Sequence, residues 1–337
     1  MSNSTIRDVA RAAGVSVATV SRALNGHDNV TPETRDRIVA IAAELRFTPS
    51  SAARSLITRR NQAVGAVLPD LHGEYFSELI RGIDLAARAH GLHLLVSGSH
   101  GNAKDATAAV NAMRGRVDGL LVLWPQVDAE ALGDDLSAGM PTVLLNTHLA
   151  HSRVPSLAVD NFGGAAKMVR HLAGLGHRRI AFITGPQHNY EAQERLRGCT
   201  TTAAELGVQL QVLPGDFNEE SGWNAGHELA QQPERPSAVF AGNDMMAIGC
   251  LSALSDAGLR VPQDISLAGF DDIPIARYVT PALTTVRARI ADLGALALER
   301  LVSAIESNAP TAVRHQTLAV ELMARQSTAP APPGATG

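Results

Sequence analysis

From Ala63 onward the chain alternates short apolar runs with amphipathic segments, and this alternation restricts the fold more than any other feature. The runs read AVGAVLPD, LHLLVSG, VDGLLVLW and PTVLLNT, then RIAFITGP, LQVLPGDF, SAVFAGND and ISLAGFDD. Stretches of helical period lie between them, among them Glu74 to His90, Phe162 to Leu175 and Asp244 to Ala257. Strand and helix in strict succession bury their apolar faces when parallel strands form a middle layer with helices on both sides. About 260 residues of this pattern are enough for two doubly wound α/β lobes.

Many of the runs end in a polar or turn residue: Asp70, Asn146, Asp160, Gly185, Asp216, Asn243 and Asp271. Ligands of open α/β sheets sit off the carboxyl ends of the strands, so these endings are expected to converge on one cleft. Arg195 offers a planar donor fork there, Asp271 and Asn243 offer acceptors and an amide, and Phe76, Phe217 and Trp223 offer flat faces. That mixture suits a hydroxyl-rich ligand such as a sugar. Taken singly, Arg195 also reads as a surface ion pair, Asp271 as a turn residue and the aromatics as core.

The first 60 residues are different in kind. They carry nine arginines and no lysine against five carboxylates, a net +4, which leaves −8 on the rest of a chain whose total is −4. A basic head on an acidic body suggests that the head meets a polyanion. Thr5 precedes IRDVARAA, where Ile6, Val9, Ala10 and Ala13 recur at helical spacing and Gly14 supplies a left-handed stop. Ser16 caps a second helix with Val20, Ala23 and Leu24 inward, ended at Asn25-Gly26. A third begins at Thr31-Pro32 and buries Ile38, Ile41, Ala42 and Leu45. Two helices joined by a three-residue turn, with a third packed on them, make a helix-turn-helix unit.

In such a unit the second helix enters the major groove. Arg22 can then donate bidentately to guanine, and Val17 and Ala18 can meet a thymine methyl. Ser16, Thr19, Ser21 and Asn25 are short donors suited to phosphate oxygens. Ser50 to Leu56 follows as one or two turns of helix, too short to hold alone in water, with Leu56 as an apolar wedge for a minor groove.

Other classes lose ground on specific residues. GLGHRR holds a G-x-G, but it closes a helix before a strand, whereas a dinucleotide loop leaves a strand and opens a helix. Nucleophile-elbow, phosphate-loop and zinc-protease motifs are missing, so no enzyme, cofactor or metal site is expected. Cys199 and Cys250 make no metal or redox pair and are expected to be buried thiols. The N-terminus lacks an apolar signal region and no run spans a membrane, which points to a cytoplasmic protein.

TIRDVARAAGVSVATVSRALNG and TPETRDRIVAIAAELRFTPSSAARSL resemble the DNA-binding head and hinge helix of the lactose-repressor/galactose-repressor family. The Val17-Ala18 pair with Arg22 is similar to the galactose-repressor subtype of reading helix. That resemblance implies a near-palindromic operator centred on a C–G step, a homodimer, DNA contacts extended to Thr5, Ser50, Ala53 and Arg54, and Leu56 inserted at the operator centre. The body resembles the family's periplasmic-binding-protein-like effector domain through VDNFGGA, GDFNEESG, FAGNDMMAIG and DISLAGFDD. By position, Tyr75, Phe76, Asn146, Asn189, Arg195, Phe217, Asn243 and Asp271 fall where the family binds its effector.

The sequence departs at Asn146, where family sugar sites often carry Asp, and at QHNYEAQ, which does not copy the purine-repressor arrangement. A sugar or sugar-like effector of a carbohydrate-gene repressor is the first expectation; a nucleoside- or purine-responsive regulator is the alternative within the family, and a sugar-binding protein or enzyme on the same α/β body is the alternative outside it. The expected organisation is a head over 1–48, hinge and linker over 49–62, and an effector and dimerisation domain over 63–326. Its N-lobe takes about 63–159 plus 290–318 and its C-lobe about 160–289 plus 319–326. A frayed tail is expected over 327–337, and no leucine heptad in it suggests a tetramer.

Overall fold

The computed structural model describes residues 4–24, 29–47, 60–126, 139–147, 154–307 and 315–332. The chain divides into two compact units, Met1–Asn61 and Gln62–Gly337. Three helices build the first: α1 (Ile6–Ala13), α2 (Val17–Leu24) and α3 (Pro32–Glu44). The Thr5 amide and hydroxyl both donate to Asp8 Oδ2, at 2.9 and 2.7 Å, which fixes the start of α1. Gly14 ends it at φ 65°. Ser16 Oγ accepts from Thr19 N at 3.1 Å to open α2, and Thr31 caps α3 with Pro32 in its first turn. Val9, Ala10 and Ala13 of α1, Val20 and Ala23 of α2, and Ile38 and Ala42 of α3 form one small core.

The second unit holds two six-stranded sheets. In chain order its elements are β1 (Ala63–Leu68), α4 (Glu74–Ala89), β2 (His93–Gly98), α5 (Ala103–Met113), β3 (Leu120–Leu123), β4 (Thr142–Leu145), β5 (Ser156–Val159) and α6 (Asn161–Gly174). Then come β6 (Arg179–Ile183), α7 (Tyr190–Leu206), β7 (Gln209–Leu213), α8 (Glu219–Gln231), β8 (Ala238–Ala241), α9 (Asp244–Asp256) and β9 (Ser266–Asp271). A 3-10 turn at Pro274–Arg277 leads to β10 (Thr284–Arg287), α10 (Ile290–Ser307), β11 (His315–Leu318) and β12 (Glu321–Met323).

One sheet runs β11-β5-β4-β3-β1-β2 and is parallel throughout. The other runs β12-β10-β9-β8-β6-β7 and is parallel apart from β12, which pairs antiparallel with β10. The inner strands β1, β3, β4, β8 and β9 are buried along their whole length, as parallel strands covered on both faces must be. Helices α4 and α10 pack so closely that a Cβ on Gly82 would lie 2.0 Å from the Ala291 carbonyl oxygen. The chain passes between the sheets three times, after β5, after β10 and between β11 and β12.

The segment after Gln326 corrects the expectation of a frayed tail. Ser327 is fully buried, its hydroxyl accepts from Thr284 N at 2.8 Å and its carbonyl accepts from Leu267 N at 2.8 Å. The Ala329 carbonyl meets the His177 ring at 3.0 Å, and Ala331 N donates to Leu175 O at 2.8 Å. A proline-rich composition does not prevent docking when backbone groups and the Ser327 hydroxyl supply the bonds. Residues 333–337 lie outside the described set.

Candidate nucleic-acid interface and effector cleft

On α2, at about 100° per residue, Val17, Ala18, Ser21 and Arg22 fall on one side and Val20 and Ala23 on the other. The inner pair is buried; Val17, Ala18 and Arg22 are exposed, Val17 to 41%. Ser21 is half-buried. Val17 and Arg22 thus stand on the side of the second helix away from its core. Ser16 and Thr19, whose hydroxyls lie 2.9 Å apart, sit at the N-terminal end of the same helix, and Thr5 is exposed at the start of α1. Asn25, Ser50, Ala53, Arg54 and Leu56 lie outside the described residues.

In the second unit, residues at the carboxyl ends of strands from both sheets line a cavity of about 470 Å³. Asp70, Gly101 and Pro125 follow strands of the first sheet; Pro186, Asp216, Phe217, Asn243 and Asp271 come from the second. Tyr75, Phe76, Asn189 and Arg195 also line it. Asn146 sits just behind, buried, with its amide donating to Tyr75 Oη at 2.7 Å. Of the expected cleft residues, Asp160 instead caps α6, accepting from Gly163 N at 2.8 Å. Gly185 is needed for space, because a Cβ there would meet the Phe217 ring at 2.3 Å. Trp223 does not contribute: it is 39% exposed on α8 and stacks on His227, one turn further on.

Arg195 is the hub of the cleft floor. Its Nε donates to Asn161 Oδ1 at 2.8 Å, Nη1 to Gly242 O at 2.5 Å and Nη2 to Asp271 Oδ1 at 3.1 Å. The guanidinium lies over the Phe270 ring at 3.8 Å and near Phe217 at 5.5 Å. Asn189 caps α7, its side chain accepting from Ala192 N at 3.0 Å, and Asn243 caps α9 while donating to Phe217 O at 2.8 Å. Asn146, Phe217 and Asp271 all have positive φ, at 48°, 73° and 111°. Strained backbone of this kind gathers at ligand sites.

Sequence reasoning missed Glu191. It lines the cavity one turn before Arg195, is buried, and its Oε1 has no hydrogen-bond partner among the described residues. Burial pushes its carboxyl up to about 7, against the pull of Arg195, and pushes Asp271 up to about 6 against the same cation. The folded state therefore holds Glu191's proton at pH values where the unfolded chain has lost it, and this contribution to stability disappears as pH rises from about 4.5 through about 7. Asp8, Asp216 and Asp264, held low by hydrogen bonds, act in the opposite sense, so the informative quantity is a difference. Glu191→Gln should gain stability relative to the parent as pH rises from about 5 to about 8, read as melting temperature. A constant difference across that range would contradict a carboxyl raised by burial.

A description of the lacI family of bacterial regulatory proteins matches residues 5–50, and that of a periplasmic binding protein-like domain matches residues 169–328. The HTH-type transcriptional repressor PurR of Edwardsiella ictaluri is 37% identical over 97% of this chain and 98% of its own length. The chain belongs to the lacI family. Catabolite control protein A of Priestia megaterium is 33% identical over 89% of the chain and 92% of its own. The lac repressor dimer bound to operator and the anti-inducer ONPF superposes with a TM-score of 0.88 at 29% identity, over 97% of this chain and 100% of that one.

As a lacI-family protein it is a DNA-binding transcriptional repressor and not an enzyme. Its family architecture, a helix-turn-helix unit followed by two mostly parallel α/β sheets, is the one observed. No helix among the described residues is long and apolar enough to cross a membrane.

Proposed function

We propose that the chain is a sequence-specific, homodimeric repressor whose second unit takes a sugar-sized effector that changes its affinity for operator DNA. The observation that carries this reading is the cavity of about 470 Å³ at the carboxyl ends of both sheets, lined by acceptors, amides and two phenylalanine faces. A ligand seated there touches residues from both sheets and so responds to their relative arrangement, which is the requirement for coupling. The expected effector residues are Tyr75, Phe76, Asn146, Asn189, Arg195, Phe217, Asn243 and Asp271, joined by Glu191. Solved relatives carry ligands of this size: one is a CelR–cellobiose complex and another has bound ribose. A purine base or nucleoside is the second reading, favoured by the flat faces of Phe76 and Phe217 at the cavity wall.

On the DNA side, Arg22, Val17 and Ala18 read bases while Thr5, Ser16, Thr19 and Ser21 position the head on phosphates. A two-fold dimer demands a two-fold site. Binding-site selection with the full chain is expected to return a near-palindrome centred on a C–G step; asymmetric sites would contradict the homodimer. Titrating ribose, cellobiose, guanine and hypoxanthine into the selected complex tests the effector reading, which expects one of these classes to shift operator affinity.

A further inference from the structure

Helices α4, α7, α8 and α9 all begin at the cleft, where Glu74, Asn189, Glu219 and Asn243 line the cavity. Helix N-termini attract anions, so four of them around one cavity would suit a phosphorylated ligand if they were unoccupied. Each carries a carboxylate of its own in the first turn, Glu74, Glu191, Glu219 and Asp244, which offsets the positive end of the helix dipole, although α4 and α8 have no side-chain cap. The caps of α7 and α9 are filled by Asn189 and Asn243, whose side chains accept from Ala192 N and Met246 N, both at 3.0 Å. Arg195 is the one guanidinium lining the cavity among the described residues, no lysine joins it, and all three of its nitrogens already donate within the protein. Facing it are six carboxylates: Asp70, Glu74, Glu191, Asp216, Glu219 and Asp271.

Glu191 adds an unmet acceptor to this negative field. Its Oε1 is buried without a hydrogen bond, and Arg195 Nη2, at 3.8 Å, is too far to supply one. A buried acceptor left unpaired costs free energy that a ligand O–H or N–H would recover. We propose that Glu191 sets the effector's chemistry: its Oε1 accepts a hydrogen bond from a ligand hydroxyl, amine or ring N–H, and the cleft admits effectors without negative charge while refusing their phosphorylated counterparts. The proposal rests on the cleft being the effector site.

Thermal-shift titration of the full chain with matched pairs tests it: ribose and ribose 5-phosphate, glucose and glucose 6-phosphate, guanosine and its monophosphate. In the wild type the stabilising compounds are uncharged, and each phosphorylated partner binds at least about tenfold more weakly, the worth of one charged contact. Glu191→Leu, which deletes the acceptor, weakens the uncharged compound by about tenfold or more. If that variant gives no cooperative melt, Glu191→Gln decides by the ratio of uncharged to phosphorylated affinity, which must fall.

A phosphorylated compound that binds as tightly as its parent, an unchanged affinity in Glu191→Leu, or a panel without one uncharged stabiliser overturns the proposal. Phe217→Ala separates this claim from the one beneath it. An anionic stabiliser lost in Phe217→Ala defeats the charge selection and leaves the cleft as effector site. A stabiliser indifferent to Phe217→Ala defeats the cleft itself.

Discussion

Arg195→Ala is expected to destabilise the effector-binding unit by about 3–5 kcal/mol near neutral pH, the cost of removing one partner from a buried ion pair. The side chain is 4% exposed, and its loss strips donors from Asn161, Gly242 and Asp271 at once. It also leaves Asp271 and Glu191 as buried carboxylates with no cation beside them, where protonation becomes their relief. The deficit should therefore shrink when denaturation is repeated near pH 5, because the protonated carboxyls no longer need the arginine. Urea denaturation at both pH values reads this directly. A loss under about 1 kcal/mol, the range of an exposed pair, would show that Arg195 does not hold the cleft floor.

The second large effect concerns the head. Arg22→Ala should cost about 1–3 kcal/mol of operator affinity and relax base preference at one symmetric pair of positions. The reason is geometric: Arg22 stands on the side of α2 away from Val20 and Ala23, so its removal leaves the three-helix core intact. Fluorescence anisotropy on operator and on random duplex separates base reading from phosphate binding. Equal losses on the two would place Arg22 on a phosphate.

The head was legible in the sequence almost residue by residue because its signals are local. Thr5 with Asp8, Gly14, Ser16 and Thr31-Pro32 each fix one helix end through bonds to neighbours a turn away. The eight apolar runs of the body likewise all became strands. Strands β5, β10, β11 and β12 gave no such signal, because SLAV, TTVR, HQTL and ELM are three or four residues long and mostly mixed in polarity. They are the elements that flank the passages between sheets, where pairing is decided by partners distant in the chain.

The same limit applied at the cleft. Glu191 and Arg195 are four apart on a helix, a spacing that reads as an exposed ion pair, and only contacts distant in the chain, from Arg195 to Asn161, Gly242, Phe270 and Asp271, show that the pair lies inside. Trp223 erred the other way: an aromatic soon after a strand end lies on the outer side of α8, since one helical turn is enough to reverse a side chain's direction.

The central claim, that occupancy of the cleft governs DNA binding, is tested most directly by operator dissociation constants measured with and without a stabilising compound, in wild type and in Phe76→Ala and Phe217→Ala. The wild-type constant should change by about 5- to 150-fold on saturation, the usual range of a coupling free energy between two sites. Both variants should lose that change, because each removes an aromatic wall of the cavity. A wild-type ratio of one with the compound bound, or a full response in both variants, would contradict the account.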